Sequence, residues 1–236
     1  IAAEKFGYLG MIAAGLAHRM NSVAGMVRLC ERELRDLVDI EDEEIRDNLD
    51  TIAEETRYIL ALAEGLFRPT QALEEGMQPT NLNLLLREAI NYAHIPPGIE
   101  VVAVYANGLP MIPANKWFVE MFVELIANAV KAMDGKGQLR VESQLADDRR
   151  VEVLISDTGC GIPAKDREHI FDLFFAKWEG EEIYYKEKTV QVGDTGLGLW
   201  WIKTFLTGIG GSIDFESEVG AGTTFVVKLP VRDEDG

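Results

Sequence analysis

Apolar side chains recur in alternating steps of three and four over residues 6–37. This is the spacing of a coiled-coil seam, and it predicts one long helix. An acidic run at 39–44 interrupts the pattern, and a second helical pattern covers residues 45–66 and is expected to end at Arg68-Pro69. Two long amphipathic helices joined by a short loop are predicted to form an antiparallel hairpin.

Such a hairpin alone buries too little surface to be stable. A second copy would complete a four-helix bundle, so the pattern predicts a homodimer through the N-terminal hairpin. The alternative is a hairpin that packs on the C-terminal part of its own chain.

The spacing of apolar residues changes after Pro69, Gly76 and Pro79, which mark a break between two regions. The predicted division is a helical hairpin at 1–70, a linker at 71–79 and a second domain at 80–232. In that domain we expect helices at 82–94, 117–133 and 198–206, and strands at 99–106, 139–144, 151–156, 212–217 and 223–229. The expected fold class is α+β, in which the second domain is an α/β sandwich with helices on one face of a mixed sheet.

The composition limits the partners. A formal net charge of −17 argues against nucleic acid or an anionic membrane as a direct partner, because their phosphates would be repelled. The two cysteines, Cys30 and Cys160, are far apart and suggest a reducing, cytoplasmic setting. The first residue is Ile1 in what reads as mid-helix. We therefore expect a fragment whose upstream part holds a sensor or a membrane anchor.

Three glycine-rich segments lie in the second domain, at 157–163, 193–199 and 220–225. Glycine lets backbone N–H groups approach a phosphate closely. The segment at 193–199 also opens a predicted helix, whose N-terminus attracts anions. For each segment taken alone, a structural turn between strands is the favoured interpretation.

Three polar residues share one face of the helix predicted at 117–133. Glu124, Asn128 and Lys131 are four and three residues apart. Asn128 offers an amide oxygen to Mg²⁺, and Lys131 offers a charge to phosphate. The alternative is a solvated polar face.

The order of these motifs closely resembles the ATP-binding domain of histidine kinases. The motifs are Glu-x-x-x-Asn-Ala-x-Lys at 124–131, Asp-x-Gly-x-Gly-Ile-Pro at 157–163, Phe-x-x-Phe-Phe at 171–175, Asp-Thr-Gly-Leu-Gly-Leu at 194–199 and Gly-x-Gly-Thr-x-Phe at 220–225. The same fold is shared by gyrase-type topoisomerases, heat-shock chaperones and mismatch-repair ATPases. The resemblance covers about residues 79–231.

The resemblance implies roles for individual residues. Asp157 would accept a hydrogen bond from the adenine amino group, Asn128 would hold Mg²⁺, and Glu124 would act as a base or orient water. The other expected contacts of ATP are Lys131, Gly159, Gly161, Lys177, Thr195, Gly196, Leu197, Gly198 and Thr223. Of these, Lys177 belongs to a segment at 176–192 that would form a lid over the nucleotide.

The segment Leu-Ala-His-Arg-Met-Asn-Ser at 16–22 resembles the phospho-acceptor segment of histidine kinases. With Leu16 and Met20 on the seam, His18 faces outward and its imidazole can attack the γ-phosphorus of ATP. Arg19 replaces the usual acidic neighbour, and Ser22 replaces the usual Asn or Thr. Arg19 favours the neutral imidazole but removes a local base, and Ser22 puts dephosphorylation of a partner in doubt.

The resemblance therefore implies a protein-histidine kinase of two-component signalling with ATP and Mg²⁺ as cofactors. It would phosphorylate itself on His18 and pass the phosphoryl group to an aspartate of a response-regulator receiver domain. The alternative, motivated by Arg19, is an ATP-binding signalling scaffold without autophosphorylation. A third candidate, an ATPase or protein-serine kinase of the same fold, would not need the hairpin.

Overall fold

The computed structural model describes residues 20, 22–35, 43–147, 149–175 and 196–231. The chain divides into two compact units. The first unit comprises Ile1–Thr70 and Asp172–Trp201, and the second comprises Gln71–Phe171 and Ile202–Gly236. The two ranges of the first unit are thus far apart in sequence.

Two helices occupy most of the described part of the first unit. Helix α1 covers residues 22–35, and helix α2 runs from Glu43 to Glu74, with its last turn in the second unit. Arg35 at the end of α1 donates hydrogen bonds to Glu31 and, at 2.6 Å, to Asp50. Near the start of α1, Met20 packs against Ala63 and Phe67. The two helices therefore contact each other near both ends of α1.

Helix α2 passes through Pro69, so the expectation that it ends at Arg68-Pro69 is wrong. Proline lacks an N–H group and disfavours a helix interior. Here the turn after the proline is held from outside, because the Asn115 side chain donates to the carbonyls of Ala72 (2.9 Å) and Glu75 (3.1 Å). These bonds satisfy carbonyls at the end of a helix that otherwise lack partners. Residues 71–74, expected as linker, are consequently helical.

A five-stranded sheet forms the centre of the second unit, and its strands lie side by side in the order β2 (Ile99–Tyr105), β4 (Gly137–Asp147), β5 (Arg150–Asp157), β7 (Gly222–Pro230) and β6 (Ser212–Glu218). Strands β2 and β4 are parallel and the other neighbours are antiparallel, so the sheet is mixed as expected.

Two short strands, β1 (Gln78–Thr80) and β3 (Ile112–Ala114), pair antiparallel in a separate sheet. The sequence did not indicate them, because three residues are too few to show an alternation. Part of the expected linker at 71–79 is thus strand.

Helices α3 (Leu82–Tyr92), α4 (Trp117–Ala132) and α5 (Gly198–Gly208) complete the elements. Within the second unit, α3 and α4 contact each other, and α4 also contacts β4, β5 and β7. The rings of Phe118 on α4 and Phe205 on α5 meet edge to face with centroids 5.3 Å apart. Every second side chain of β5 is buried, which is the pattern of a sheet with one covered face. None of the helices in the described ranges combines the length and apolar character that a membrane span requires.

Candidate functional site

A row of polar side chains crosses three strands at one end of the sheet. Asp157 on β5 pairs in register with Thr223 on β7, which pairs in turn with Ser217 on β6. Residues paired in this way project from the same face of a sheet. The next row on that face is apolar and consists of Ile155, Phe225 and Phe215. The covered face therefore ends in a row that can form hydrogen bonds.

Asp157 is the acidic member of this row and is only 7% exposed. Its Oδ1 atom accepts hydrogen bonds from the backbone N–H of Gly159 (2.8 Å) and of Thr223 (3.3 Å). Burial raises the pKa of the Asp157 carboxyl, and the two N–H groups partly oppose that rise. Since both bonds from the described residues reach Oδ1, the lone pairs of Oδ2 are left for a ligand.

Ser217 is a residue of this row that sequence reasoning missed. Its Oγ accepts from the N–H of Ile162 at 2.7 Å, and it lies 2.9 Å from Thr223 Oγ1 and 3.1 Å from the carbonyl oxygen of Gly222. A signal was present, because β6 alternates through Ile213 and Phe215 and then places serine where the next apolar side chain is expected.

Two of the motif glycines are required by close packing of the backbone. A Cβ atom on Gly161 would collide with the carbonyl oxygen of Glu218, and one on Gly222 would collide with that of Asp157. Both glycines also have positive φ, +69° and +115°. In the described structure these glycines bring the motif loops together, and the N–H of Gly159 is engaged by Asp157.

The expected polar face of α4 has Glu124 and Asn128 half-buried and Lys131 exposed. The described residues contain no cluster of three or more His, Cys, Asp or Glu side chains that could hold a metal ion. An amide oxygen is one of the ligands that Mg²⁺ accepts, so the Asn128 side chain fits that metal.

Residues from the segment at 193–199 lie in the first unit. Gly196 has a φ of +71°, and Gly198 begins α5, whose first turn includes a bond from Trp201 N–H to the Leu197 carbonyl (2.9 Å). The Leu197 side chain is fully buried against Ala61. Its side chain therefore serves the core of the first unit.

Four of the expected site residues, His18, Arg19, Lys177 and Thr195, lie outside the described residues. Ser22 lies on α1 and is exposed. The structure thus brings together Asp157 and Thr223, with Gly159 and Gly161 in the adjoining loop, and adds Ser217.

The family described as histidine kinase-, DNA gyrase B- and HSP90-like ATPase matches residues 114–233, about half of the chain. This range includes α4 and the whole polar row.

Curated relatives cover nearly all of the chain. The signal transduction histidine-protein kinase AtoS of Escherichia coli is 24% identical over 98% of this chain and 36% of its own length. The sensor histidine kinase ZraS of Escherichia coli is 27% identical over 97% of this chain and 47% of its own length. The chain therefore spans between a third and a half of the length of these relatives.

Among solved structures, full-length ShkA in complex with AMPPNP matches 96% of this chain and 46% of its own chain, with a TM-score of 0.66 and 23% identity. At this identity the likeness shows the fold. The resemblance to histidine kinases that the motifs indicate is confirmed by the family and the curated relatives.

Proposed function

Because the chain belongs to the family of histidine kinase-, DNA gyrase B- and HSP90-like ATPases, we propose that it is the kinase region of a sensor histidine kinase. Its reaction is ATP-dependent phosphorylation of His18, followed by transfer of the phosphoryl group to an aspartate of a response-regulator receiver domain. The observation that carries the proposal is the buried Asp157 carboxylate, whose Oδ1 is held by two backbone N–H groups while no described residue donates to its Oδ2.

Asp157 selects the base. Its Oδ2 accepts a hydrogen bond from the amino group of adenine, while Gly161 and Thr223 line the same pocket. A buried carboxylate loses its hydration, and hydrogen bonds must offset that loss. The two N–H groups at Oδ1 provide part of this compensation and fix the orientation of the carboxylate for the contact with adenine. A 6-oxo purine would present an oxygen to the carboxylate and be rejected.

The polar face of α4 contacts the triphosphate. Lys131 offers positive charge, Asn128 would ligate Mg²⁺, and Glu124 accepts a proton or orients the attacking group. When bound, Mg²⁺ would neutralise charge on the phosphates. Lys177, Thr195, Gly196 and Gly198 are further proposed phosphate contacts, together with the backbone at Leu197.

His18 is the proposed nucleophile. A neutral imidazole nitrogen forms a bond to the γ-phosphorus, the bond to the β,γ-bridging oxygen breaks, and ADP leaves. The ring proton passes to a base or to water. Arg19 cannot accept that proton, so we expect slower autophosphorylation than an acidic neighbour would allow.

A homodimer through the N-terminal hairpin is part of the proposal. The contacts of Arg35 with Asp50 and of Met20 with Phe67 have the order expected of two antiparallel helices. The two helices also leave large apolar side chains exposed, namely Val23, Met26, Leu29, Leu34, Ile45, Ile52 and Ile59. A second hairpin would cover them and complete a four-helix bundle.

The domain boundaries proposed from the sequence are the hairpin at 1–70, a connection at 71–79 and the ATP-binding domain at 80–232. The cytoplasmic location and the upstream sensor stay predictions. The comparisons give no support to the alternative of a scaffold without kinase activity.

The test is incubation of the chain with Mg²⁺ and γ-labelled ATP, followed by treatment of the labelled protein with acid. We expect acid-labile label on the native chain and none on His18→Gln. The matched control is His94→Gln, which removes an exposed histidine of the second unit and should label normally. If the native chain binds ATP without becoming labelled, the kinase proposal fails and the scaffold takes its place.

A further inference from the structure

The hydroxyl of Ser217 has three polar neighbours and only one proton. One neighbour, the N–H of Ile162, can only donate, and another, the carbonyl of Gly222, can only accept. A hydroxyl group has one donor and two acceptor sites. All three contacts are therefore satisfied together only when Ser217 donates to Gly222 and accepts from both Ile162 and Thr223.

This arrangement fixes the direction of the Thr223 hydroxyl. Its proton points to Ser217, so Thr223 Oγ1 is left with lone pairs alone. Thr223 is only 6% exposed and stands beside Asp157 on the same face of the sheet. The row then contains two acceptors next to each other, the Asp157 carboxylate and the Thr223 hydroxyl oxygen.

We propose that Ser217 is a positioning residue for nucleotide recognition, which holds the Thr223 hydroxyl as a hydrogen-bond acceptor beside Asp157. Two adjacent acceptors match the two N–H groups of a 6-amino purine, directly or through water. Ser217 also holds the motif loop at Ile162, and so joins that loop to the sheet. The inference rests on the proposed function, because it requires that the 6-amino group of ATP binds beside Asp157 and Thr223.

The test compares two nucleotides by calorimetric titration of the full 236-residue chain. One is the non-hydrolysed ATP analogue AMPPNP, and the other is the triphosphate of purine riboside, which has no 6-amino group. We expect Ser217→Ala to weaken AMPPNP binding by about three- to tenfold, the usual range for one oriented hydrogen bond. Binding of the purine riboside triphosphate should change by less than twofold.

Further variants separate this role from a purely structural one. Thr223→Val should reduce the preference for AMPPNP over purine riboside triphosphate as much as Ser217→Ala does. The double variant Ser217→Ala/Thr223→Val should lose no more of that preference than either single variant. Ser217→Thr keeps the hydroxyl and should restore the preference. If Ser217→Ala does not fold, Ser217→Cys fills nearly the same volume with a much weaker hydrogen-bonding group and takes its place.

The matched control is Ser156→Ala. Ser156 Oγ accepts from Thr224 Oγ1 at 2.9 Å, so it forms the same kind of cross-strand hydroxyl pair, but one residue away along the strands and therefore on the opposite face of the sheet. It should leave both affinities unchanged.

The outcomes are distinct. If the native chain binds neither nucleotide, the proposed function fails. If the native chain prefers AMPPNP and Ser217→Ala keeps that preference, or loses affinity for both nucleotides equally, the role of Ser217 is overturned while ATP binding stands.

Discussion

The indole Nε1 of Trp117 donates a 2.8 Å hydrogen bond to Glu75 Oε2. Glu75 directly follows α2, and Trp117 is the first residue of α4. The same carboxylate oxygen lies 3.2 Å from Lys116 Nζ, and Asn115 binds the carbonyls at the end of α2. The end of α2 is thereby fixed to the start of the helix that bears Asn128.

This junction should contribute measurably to stability. We expect Trp117→Phe and Glu75→Ala each to lower the free energy of unfolding, with a coupling of about 1 kcal/mol between them, because Glu75 is partly exposed and hydrogen bonds of this kind are partly offset by water. Urea denaturation of the two single variants and the double variant measures the coupling. Glu74→Ala, at an exposed neighbouring position, is the control and should change little. Additive effects would show that the bond contributes nothing.

Asp157 should favour nucleotide binding but lower the free energy of unfolding of the chain without nucleotide. Burial raises the pKa of its carboxyl. A carboxyl whose pKa is higher in the folded chain loses its stabilising effect as the pH rises from the ordinary value through the raised one. Asp157→Asn removes this titration while its Oδ1 still accepts from Gly159 and Thr223. We expect the variant to gain stability relative to the native chain as pH rises through that window, with no gain below it.

Thermal unfolding without nucleotide over a pH series measures this difference. The matched control is Asp214→Asn, which removes the same charge from an exposed position on β6. A gain that grew as the pH fell would contradict the assignment. Titration with AMPPNP should show that Asp157→Asn has lost most of its affinity, since an amide nitrogen cannot accept from adenine.

Gly222→Ala should be far more costly than Gly220→Ala, although both glycines have positive φ. A Cβ atom on Gly220 meets open space, whereas one on Gly222 meets the carbonyl of Asp157. We expect Gly220→Ala to cost about 1–2 kcal/mol for its backbone conformation. Gly222→Ala adds overpacking for a total of about 3 kcal/mol. Equal costs in urea denaturation would show that the packing is not tight.

Ile52→Glu should weaken self-association. Ile52 is 40% exposed on α2, and burying an unpaired carboxylate in a dimer interface is strongly unfavourable. We expect a dimer dissociation constant higher by roughly tenfold or more, measured by sedimentation equilibrium. Thr51→Glu, an exposed neighbour that adds the same charge, is the control. If both variants associate like the native chain, the interface lies elsewhere.

Much of the second unit was accessible from the sequence, because its larger elements carry strong periodic patterns. The alternation in β5 and β7 and the helical stripe of α4 identified those elements to within a few residues. Asp157 was found because it belongs to a motif whose glycines stand out. These patterns lie within short stretches of sequence, so they can be recognised without knowledge of the fold.

The remainder depends on contacts between distant residues. Pro69 is a residue at which a helix is expected to end, and the bonds that hold the following turn come from Asn115, more than forty residues later. Ser217 looks like an ordinary strand residue until its register with Thr223 is known. The short strands β1 and β3 exist only because they pair with each other.

The packing of Gly161 and Gly222 against backbone carbonyls has a consequence for how such sequences are compared. A descendant that no longer binds nucleotide would still need both glycines. Any side chain at Gly161 would collide with the carbonyl of Glu218, and any side chain at Gly222 would collide with that of Asp157. Retained glycines therefore report that the loops still close. Divergence of the Asp157 carboxylate, whose burial costs stability, is the earlier sign that a lineage has abandoned the ligand.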